Sequence, residues 1–307
     1  SMVDALLFES VIRALPMGCR LILVGDCDQL PSVGAGNVLH DLINSGLMPV
    51  IQLTEIFRQS MRSLIVTNAH RIVKGEMPVL TQKDSDFFFL RCHDREAVAA
   101  TIIELCRTRL PKSYDYSPLE DIQVLSPARK GSLGCVDLNT RLQAALNPPA
   151  PDKNEMTINA TTLRQGDKVM QARNNYNILW TKKDGEHGEG VFNGDVGILT
   201  EVSKSAQILK VVFDDKTAVY DLESALDLEL AYATTVHKSQ GNEFNAVILP
   251  MYQGPPQLCY RNLLYTAVTR AKKLLILVGY EQAVAKMVQN NRKTLRYTGL
   301  KYFLARE

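Results

Sequence analysis

Tyr232-Ala-Thr-Thr-Val-His-Lys-Ser-Gln-Gly-Asn-Glu-Phe-Asn-Ala-Val-Ile-Leu-Pro250 decides how the rest of the chain is read. A short apolar run leads into a polar turn and helix start, and a second apolar run, Ala246 to Leu249, follows. That second run has the length and continuity of a strand buried on both faces, as in a parallel sheet. Between the runs, Thr234, Thr235, His237, Lys238, Ser239 and Gln240 crowd hydrogen-bonding side chains into one short segment. Gly241 then lets a backbone approach closely. Polar groups gathered at strand ends in an open α/β sheet usually face a ligand. The same residues also suit a capped helix between two strands, because Thr and Ser are good caps.

Upstream, the chain alternates strand and helix. Leu21 to Val24 reads as a buried strand running into the glycine-rich loop Gly25-Asp-Cys-Asp-Gln-Leu-Pro-Ser-Val-Gly-Ala-Gly36, with a helix from Val38 to Ile43. This loop suits ligand contact at a strand end, or a plain turn. It is not a phosphate-binding P-loop, since no Gly-Lys-Ser/Thr occurs anywhere in the chain. Ile51 to Leu53 reads as a short strand, and a helix then runs to about Lys74 with Ile65, Ala69, Ile72 and Val73 on one face. Arg58, beside that strand end, can reach a phosphate with its planar fork, or form a surface salt bridge. Phe87 to Leu90 is a strand, Glu96 to Leu110 a helix and Ile122 to Leu125 a buried strand. The basic loop from Ser126 to Gly134, with Arg129 and Lys130, precedes a helix from Val136 to Leu146. Downstream of the opening stretch come a helix from Asn262 to Ala271, a strand from Leu274 to Val278 and a helix from Gln282 to Gln289. Leu300 to Leu304 is an apolar tail expected at an edge. Alternation of this kind predicts a parallel α/β sheet.

The texture changes at Asn147, where Pro148, Pro149 and Pro151 mark a boundary. From Arg164 to Glu223 the pattern is one of short strands: Lys168 to Ala172, Val196 to Val202, Ile208 to Phe213 and Ala218 to Leu222. Phe192 to Asp195 and Asp214-Asp215 are predicted hairpin turns. Lys182 to Gly190 reads as a charged, mobile loop. The expectation is a small β-barrel inserted in the α/β domain. Trp180 and Tyr176 can stack on bases or pack the barrel.

Composition bounds these readings. The 307 residues are 46% hydrophobic and 22% charged, as in ordinary globular proteins. A net charge of +2 is too small to argue for a nucleic-acid partner, so any basic surface must be local. No apolar run approaches membrane-spanning length and no signal peptide opens the chain, so a cytoplasmic location without a membrane partner is expected. Cys19, Cys27, Cys92, Cys106, Cys135 and Cys259 form no Cys-x-x-Cys pair, and reduced thiols are expected. His40, His70, His93 and His187 have no metal-binding spacing, and no metal site is expected.

Five strand-to-loop junctions now carry polar motifs in a fixed order, and together they resemble the superfamily 1 helicases. The likeness is closest to the RecD-like branch, which includes the RecD subunit of exodeoxyribonuclease V and the helicase part of TraA relaxases. Gly25 to Gly36 resembles motif III, Leu53-Thr-Glu-Ile-Phe-Arg-Gln59 motif IV, and Ser126 to Lys130 the extra motif between IV and V. Ala233 to Phe244 resembles motif V, and Leu264-Tyr-Thr-Ala-Val-Thr-Arg-Ala-Lys272 motif VI.

The resemblance implies a RecA-like parallel-sheet motor domain with an inserted SH3-like β-barrel. It implies the C-terminal part of a longer enzyme: residues 1–46 ending a first motor domain, 47–155 and 226–307 forming a second, and 156–225 forming the barrel. Ser1-Met2 is either tag or natural sequence, and the Walker A and B residues, with the Mg2+ ligands, are expected upstream. ATP would be the cofactor, with Gln29 sensing its γ-phosphate and Arg58 and Arg270 neutralising charge during phosphoryl transfer. Glu243 would accept from the ribose hydroxyls, beside Gln240 and Gly241. Ser126, Arg129, Thr235, His237, Lys238 and Ser239 would hold single-stranded DNA, although His237 also reads as an ordinary structural histidine. The implied function is an ATP-dependent 5′ to 3′ DNA helicase of recombination and repair, with other repair subunits as partners and with these residues inactive by themselves. The alternative is a non-motor nucleic-acid-binding or subunit-assembly module. Clustered carboxylates for a nuclease are not seen.

Overall fold

The computed structural model describes Met2 to Leu53, Arg62 to Asn291 and Thr298 to Leu304. Asp4 starts α1 (Ala5–Ala14) by accepting from the Leu7 amide at 2.9 Å. Helix α2 (Val38–Ser45) ends at Gly46, whose φ of 72° is the left-handed stop that glycine favours. Ser63 and Asp86 together cap α3 (Leu64–Lys74), Asp86 accepting from the Leu64 and Ile65 amides at 2.8 and 3.1 Å. Then come β1 (Phe87–Arg91) and α4 (Arg95–Glu104), which continues through a π turn at Leu105–Arg109 into α5 (Leu110–Tyr114). Next are β2 (Ile122–Ser126) and α6 (Cys135–Leu146).

Nine short strands follow: β3 (Glu155–Ile158), β4 (Thr161–Arg164), β5 (Lys168–Gln171), β6 (Asn175–Lys182), β7 (His187–Val191), β8 (Val196–Ser203), β9 (Ile208–Phe213), β10 (Lys216–Tyr220) and β11 (Leu228–Leu230). The chain closes with β12 (Ala233–Thr235), β13 (Phe244–Met251), α7 (Arg261–Val268), β14 (Ala271–Gly279), α8 (Glu281–Gln289) and α9 (Leu300–Leu304).

The chain divides into two units, Ser1–Phe88 with Gln253–Thr269 and Glu281–Glu307, and Phe89–Tyr252 with Arg270–Tyr280. In the second, a sheet has strand order β1-β14-β13-β2-β12, and β14, β13, β2 and β12 pair in parallel. Its centre is the expected apolar strand, with Val247, Ile248 and Leu249 fully buried. Helix α4 packs on β13 and β14, and α6 on β12. This is the expected RecA-like parallel sheet.

The inserted part is a seven-stranded sheet in the order β11-β5-β8-β9-β10-β6-β7, every neighbouring pair antiparallel. Alternate residues of β9 point inward, and Leu209, Val211 and Phe213 join Leu199, Val202 and Tyr220 in its core. Asp214-Asp215 is the expected hairpin turn between β9 and β10. Three details differ from the sequence reading. Lys182 to Gly190 is not one loop, because His187–Val191 is a strand paired with β6. Gly188 permits this, since a Cβ there would come within 2.5 Å of the Trp180 ring. Phe192 to Asp195 is a tight turn but not a hairpin, because β7 pairs with β6 whereas β8 pairs with β5 and β9. The end of β5 holds that turn through Gly194 N–H to the Gln171 carbonyl at 2.9 Å. A further hairpin, β3 with β4, turns at Asn159 and Ala160, both at positive φ.

The first unit contains α1, α2, α3, α7, α8 and α9. Leu64, Ile65, Asn68, Ala69 and Ile72 form the buried face of α3, close to the expected one. Leu21 to Val24 and Ile51 to Leu53 are not strands. Ile22 is 75% exposed, Val24 91% and Ile51 90%. An apolar run becomes a strand only where a neighbour completes its hydrogen bonds, and among the described residues neither run has a ladder partner.

Two buried charges join the barrel to the parallel sheet. Asp167 is fully buried and accepts from Gln143 Nε2 (2.6 Å), Asn147 Nδ2 (2.7 Å), the Arg164 amide (2.7 Å) and the Tyr232 hydroxyl (2.8 Å). Asp167→Ala strands those donors, so a loss of at least about 3 kcal/mol of stability is expected. Asp167→Asn should lose less, and urea denaturation of both variants checks the order. Next to it, buried Lys168 donates to the Ile122 carbonyl at 3.1 Å. Burial pushes its amine down from 10.5 to about 8, against smaller opposing effects from Cys106, Asp121 and Glu120. Between those values the unfolded chain binds more proton, so this residue's contribution to stability rises with pH from about 8 towards 10.5. The stability of the wild type relative to Lys168→Met is therefore expected to climb between pH 7 and 9.5. Chemical denaturation across that range reads it directly.

Candidate functional site

Parallel pairing places Thr235 opposite Ser126, and the Val236 amide donates to the Ser126 carbonyl at 3.2 Å. The loops that follow β2 and β12 therefore emerge side by side at the C-terminal end of the sheet. The Ser126 hydroxyl is fully buried, donating to the Leu133 carbonyl at 2.7 Å and accepting from the Ala128 amide. It shapes its loop and does not face solvent. Ser239 is likewise buried and donates to the Val236 carbonyl at 2.9 Å. Thr235 Oγ1 accepts from the Lys238 amide at 3.3 Å. His237 is part-buried, and that burial lowers its pKa, which favours the neutral ring. Of the cations here, Arg129 and Lys238 both engage Glu229, at 2.8 and 3.0 Å, and Lys130 is exposed beside Arg129.

The other half of the opening stretch lies at the opposite end of the sheet. Gly241 has a φ of +86°, a left-handed bend that turns the chain back towards the start of β13. Phe244 pairs with Ala271, so Glu243 and Arg270 stand together at the N-terminal ends of β13 and β14. Glu243 reaches Lys272 at 3.6 Å, both exposed. Arg270 is buried, and its Nη1 donates to the Asn242 carbonyl at 3.1 Å. Gln240 is half-buried, and its amide donates to the His237 carbonyl at 3.3 Å. Ala246 is level with Ile122, and Thr235 with Ser126. Phe244 precedes Ala246 by two residues and Ile122 precedes Ser126 by four, so at about 3.3 Å per residue the two clusters are separated by roughly 20 Å along the strands.

In the first unit, Gln29 sits in a loop held by α7. Asn262 Nδ2 donates to the Asp28 carbonyl (2.7 Å), the Tyr265 hydroxyl to Asp26 (2.7 Å), and the Leu30 amide to the Thr266 hydroxyl (2.9 Å). These three α7 residues share one helical face, which is why one helix can grip one loop. The Gln29 amide donates to Asp26 at 3.2 Å. Arg58 lies outside the described residues. Among the described residues no three His, Cys, Asp or Glu side chains converge as a metal site. Sequence reasoning missed Glu229, whose signal was a lone charge inside Leu228-Glu-Leu230, and Asp167, the charge immediately before the strand that starts at Lys168.

Residues 138–213 match the ATP-dependent RecD-like DNA helicase SH3 domain, residues 230–278 the UvrD-like helicase C-terminal domain, and residues 1–94 an AAA domain. The ATP-dependent RecD2 DNA helicase of Deinococcus radiodurans is 32% identical over 283 residues, 92% of this chain and 36% of that protein. The RecBCD enzyme subunit RecD of Mycobacterium tuberculosis is 30% identical over 321 aligned positions, 98% of this chain and 51% of that protein. The chain is RecD-like. Among solved structures, a Bacteroides Pif1 helicase aligns at a TM-score of 0.46 and 18% identity, over 86% of this chain and 62% of that one. The RecD-like chain spans from about a third to about half of the length of these curated relatives.

The hydrogen bond from the Leu30 amide to Thr266 makes the grip of α7 on the Gln29 loop directly testable. Thr266→Val removes the acceptor of the Leu30 amide and should lower stability by about 1 kcal/mol. Thr266→Ser should not. Amide exchange at Leu30 is expected to speed up in the valine variant alone.

Proposed function

We propose that these residues form part of an ATP-dependent DNA helicase motor of the RecD type, moving 5′ to 3′ in recombination and repair in the cytoplasm. The observation that carries the reading is the side-by-side emergence of the β2 and β12 loops, which brings Arg129 and Lys238 onto one carboxylate. In this reading that end of the sheet binds the phosphates of single-stranded DNA, with Thr235 and neutral His237 beside the cations. Ser126 and Ser239 support the loops from inside.

Nucleotide chemistry belongs to the other residues. Arg270 is buried and tied to the Asn242 carbonyl of the loop before β13, and a guanidinium so placed loses little entropy on meeting a phosphate. Glu243 is an exposed carboxylate that fits a ribose acceptor, and Gln29 a γ-phosphate sensor. Arg58 would be the second arginine. No Gly-Lys-Ser/Thr occurs in the 307 residues, so the phosphate cradle and the Mg2+ ligands would come from sequence outside them, and these residues alone would not turn over ATP. Residues 1–46 would close a first motor domain, 47–155 and 226–307 would make a second, and 156–225 the SH3-like barrel. Other repair subunits are the partners this reading implies.

The test is a titration with a labelled single-stranded oligonucleotide. One phosphate neutralised by the pair gives a loss of about 2.6-fold in affinity between 50 and 200 mM salt. Arg129→Ala with Lys238→Ala should remove most of that dependence. Binding insensitive to salt, or an equal preference for duplex, would defeat the reading.

A further inference from the structure

Glu229 is an acidic residue in a place read as a phosphate site. It lies in the middle of β11, opposite Met170 of β5, and so belongs to the barrel sheet. Its side chain is one-third exposed. Its two oxygens are divided: Oε1 takes Arg129 Nη2 at 2.8 Å and Oε2 takes Lys238 Nζ at 3.0 Å. The two cations come from different loops, one following β2 and the other following β12. Each loop is fixed from within, by Ser126 and Ser239. The cations therefore present a preset gap, bridged by one group with two equivalent anionic oxygens.

A phosphodiester has the same donor requirement. It offers two equivalent anionic oxygens, and arginine forks donate to carboxylate and phosphate alike. Arg129 is 63% exposed and Lys238 28%, so solvent and ligand reach the pair. We infer that Glu229 stands in for one backbone phosphate of a single-stranded nucleic acid, and that the strand must displace it to bind Arg129 and Lys238 together. The two cations then hold a single phosphate rather than two successive ones, and the carboxylate is a competitor built into the site. This rests on the nucleic-acid reading above.

Two consequences follow. Binding is weaker than two free cations would allow, because each ion pair must open first. The weakening also protects against loose capture of small anions, since an isolated phosphate gains less than a strand held at further points.

The experiment compares wild type, Glu229→Gln and Glu229→Gln with Arg129→Ala, using a labelled oligothymidylate and, separately, inorganic tripolyphosphate. Glutamine keeps the shape and removes the charge. In 50 mM salt Glu229→Gln should bind both probes about fivefold more tightly than wild type, the release of two part-exposed ion pairs. Adding Arg129→Ala should cancel the gain, and the gain should shrink as salt rises. Equal or weaker binding of tripolyphosphate by Glu229→Gln, in a variant whose melting temperature matches wild type, overturns the inference. If instead tripolyphosphate shows the gain and the oligonucleotide binds to none of the three proteins, the competitor role stands and the nucleic-acid reading falls. Should Glu229→Gln melt early, Glu229→Ala and Lys238 acylation rates settle the point: faster acylation on loss of the carboxylate supports the inference and an unchanged rate defeats it.

Discussion

The parallel pairing of β12 with β2 is the constraint on which the site depends, and three residues of strand are too few to secure it alone. Buried side chains supply what the short ladder lacks. Asn139 of α6 donates to the Leu230 and Ala233 carbonyls at 2.9 and 2.8 Å and accepts from the Ala233 amide at 2.7 Å. Gln123 of β2 donates to the Ala231 carbonyl at 3.1 Å. An amide that satisfies strand-edge groups from the side replaces a missing neighbouring strand. With β12 fixed, Thr235 falls level with Ser126, and the two loops that carry Arg129 and Lys238 have nowhere else to go.

Much of this was legible because parallel α/β sheets leave a strong mark. Runs such as Ala246 to Leu249 and Leu274 to Val278 are apolar on both faces and punctuated by polar loops, and both are central strands here. The barrel was visible as a change from helical to strand spacing after the prolines. What could not be read were features that depend on a partner distant in sequence. Leu21 to Val24 has strand composition, but composition does not report whether a neighbour exists to pair with it. His187 to Val191 has glycines and charges typical of loops, and is a strand because Gly188 accepts the Trp180 ring against it. Lys216 and Lys182 flank the same ring at 4.5 and 5.9 Å, so charges that suggested a solvated loop lie against an aromatic face.

The candidate site shows the same division. The motif between Ala233 and Phe244 is one stretch in sequence, yet its residues serve two ends of a sheet. Periodicity cannot show this, because the left-handed turn at Gly241 and the crossing from β12 to β13 are long-range facts. Burial was equally hidden: Ser126 and Ser239 have the side chains of ligand contacts but point inward, where each hydroxyl meets a backbone carbonyl. Arg129 and Lys238 were visible as cations. Their shared partner was not, because Glu229 lies 100 residues from Arg129.

The route of the chain through Leu228 to Thr235 joins these observations. Its first part, β11, pairs antiparallel with β5 and belongs to the barrel; its last part, β12, pairs in parallel with β2 and belongs to the parallel sheet. Between them the Ala231 amide donates to the Lys168 carbonyl and the Val124 amide to the Tyr232 carbonyl, so hydrogen bonding passes from one sheet to the other without a break. The Tyr232 hydroxyl meets buried Asp167 in the same stretch. A continuous extended segment shared by two sheets resists bending, since bending it would leave buried backbone groups without partners. The barrel is therefore not a pendant module. Its strand carries the carboxylate that faces the cations, and a displacement of β11 relative to β2 changes the Glu229 to Arg129 distance directly.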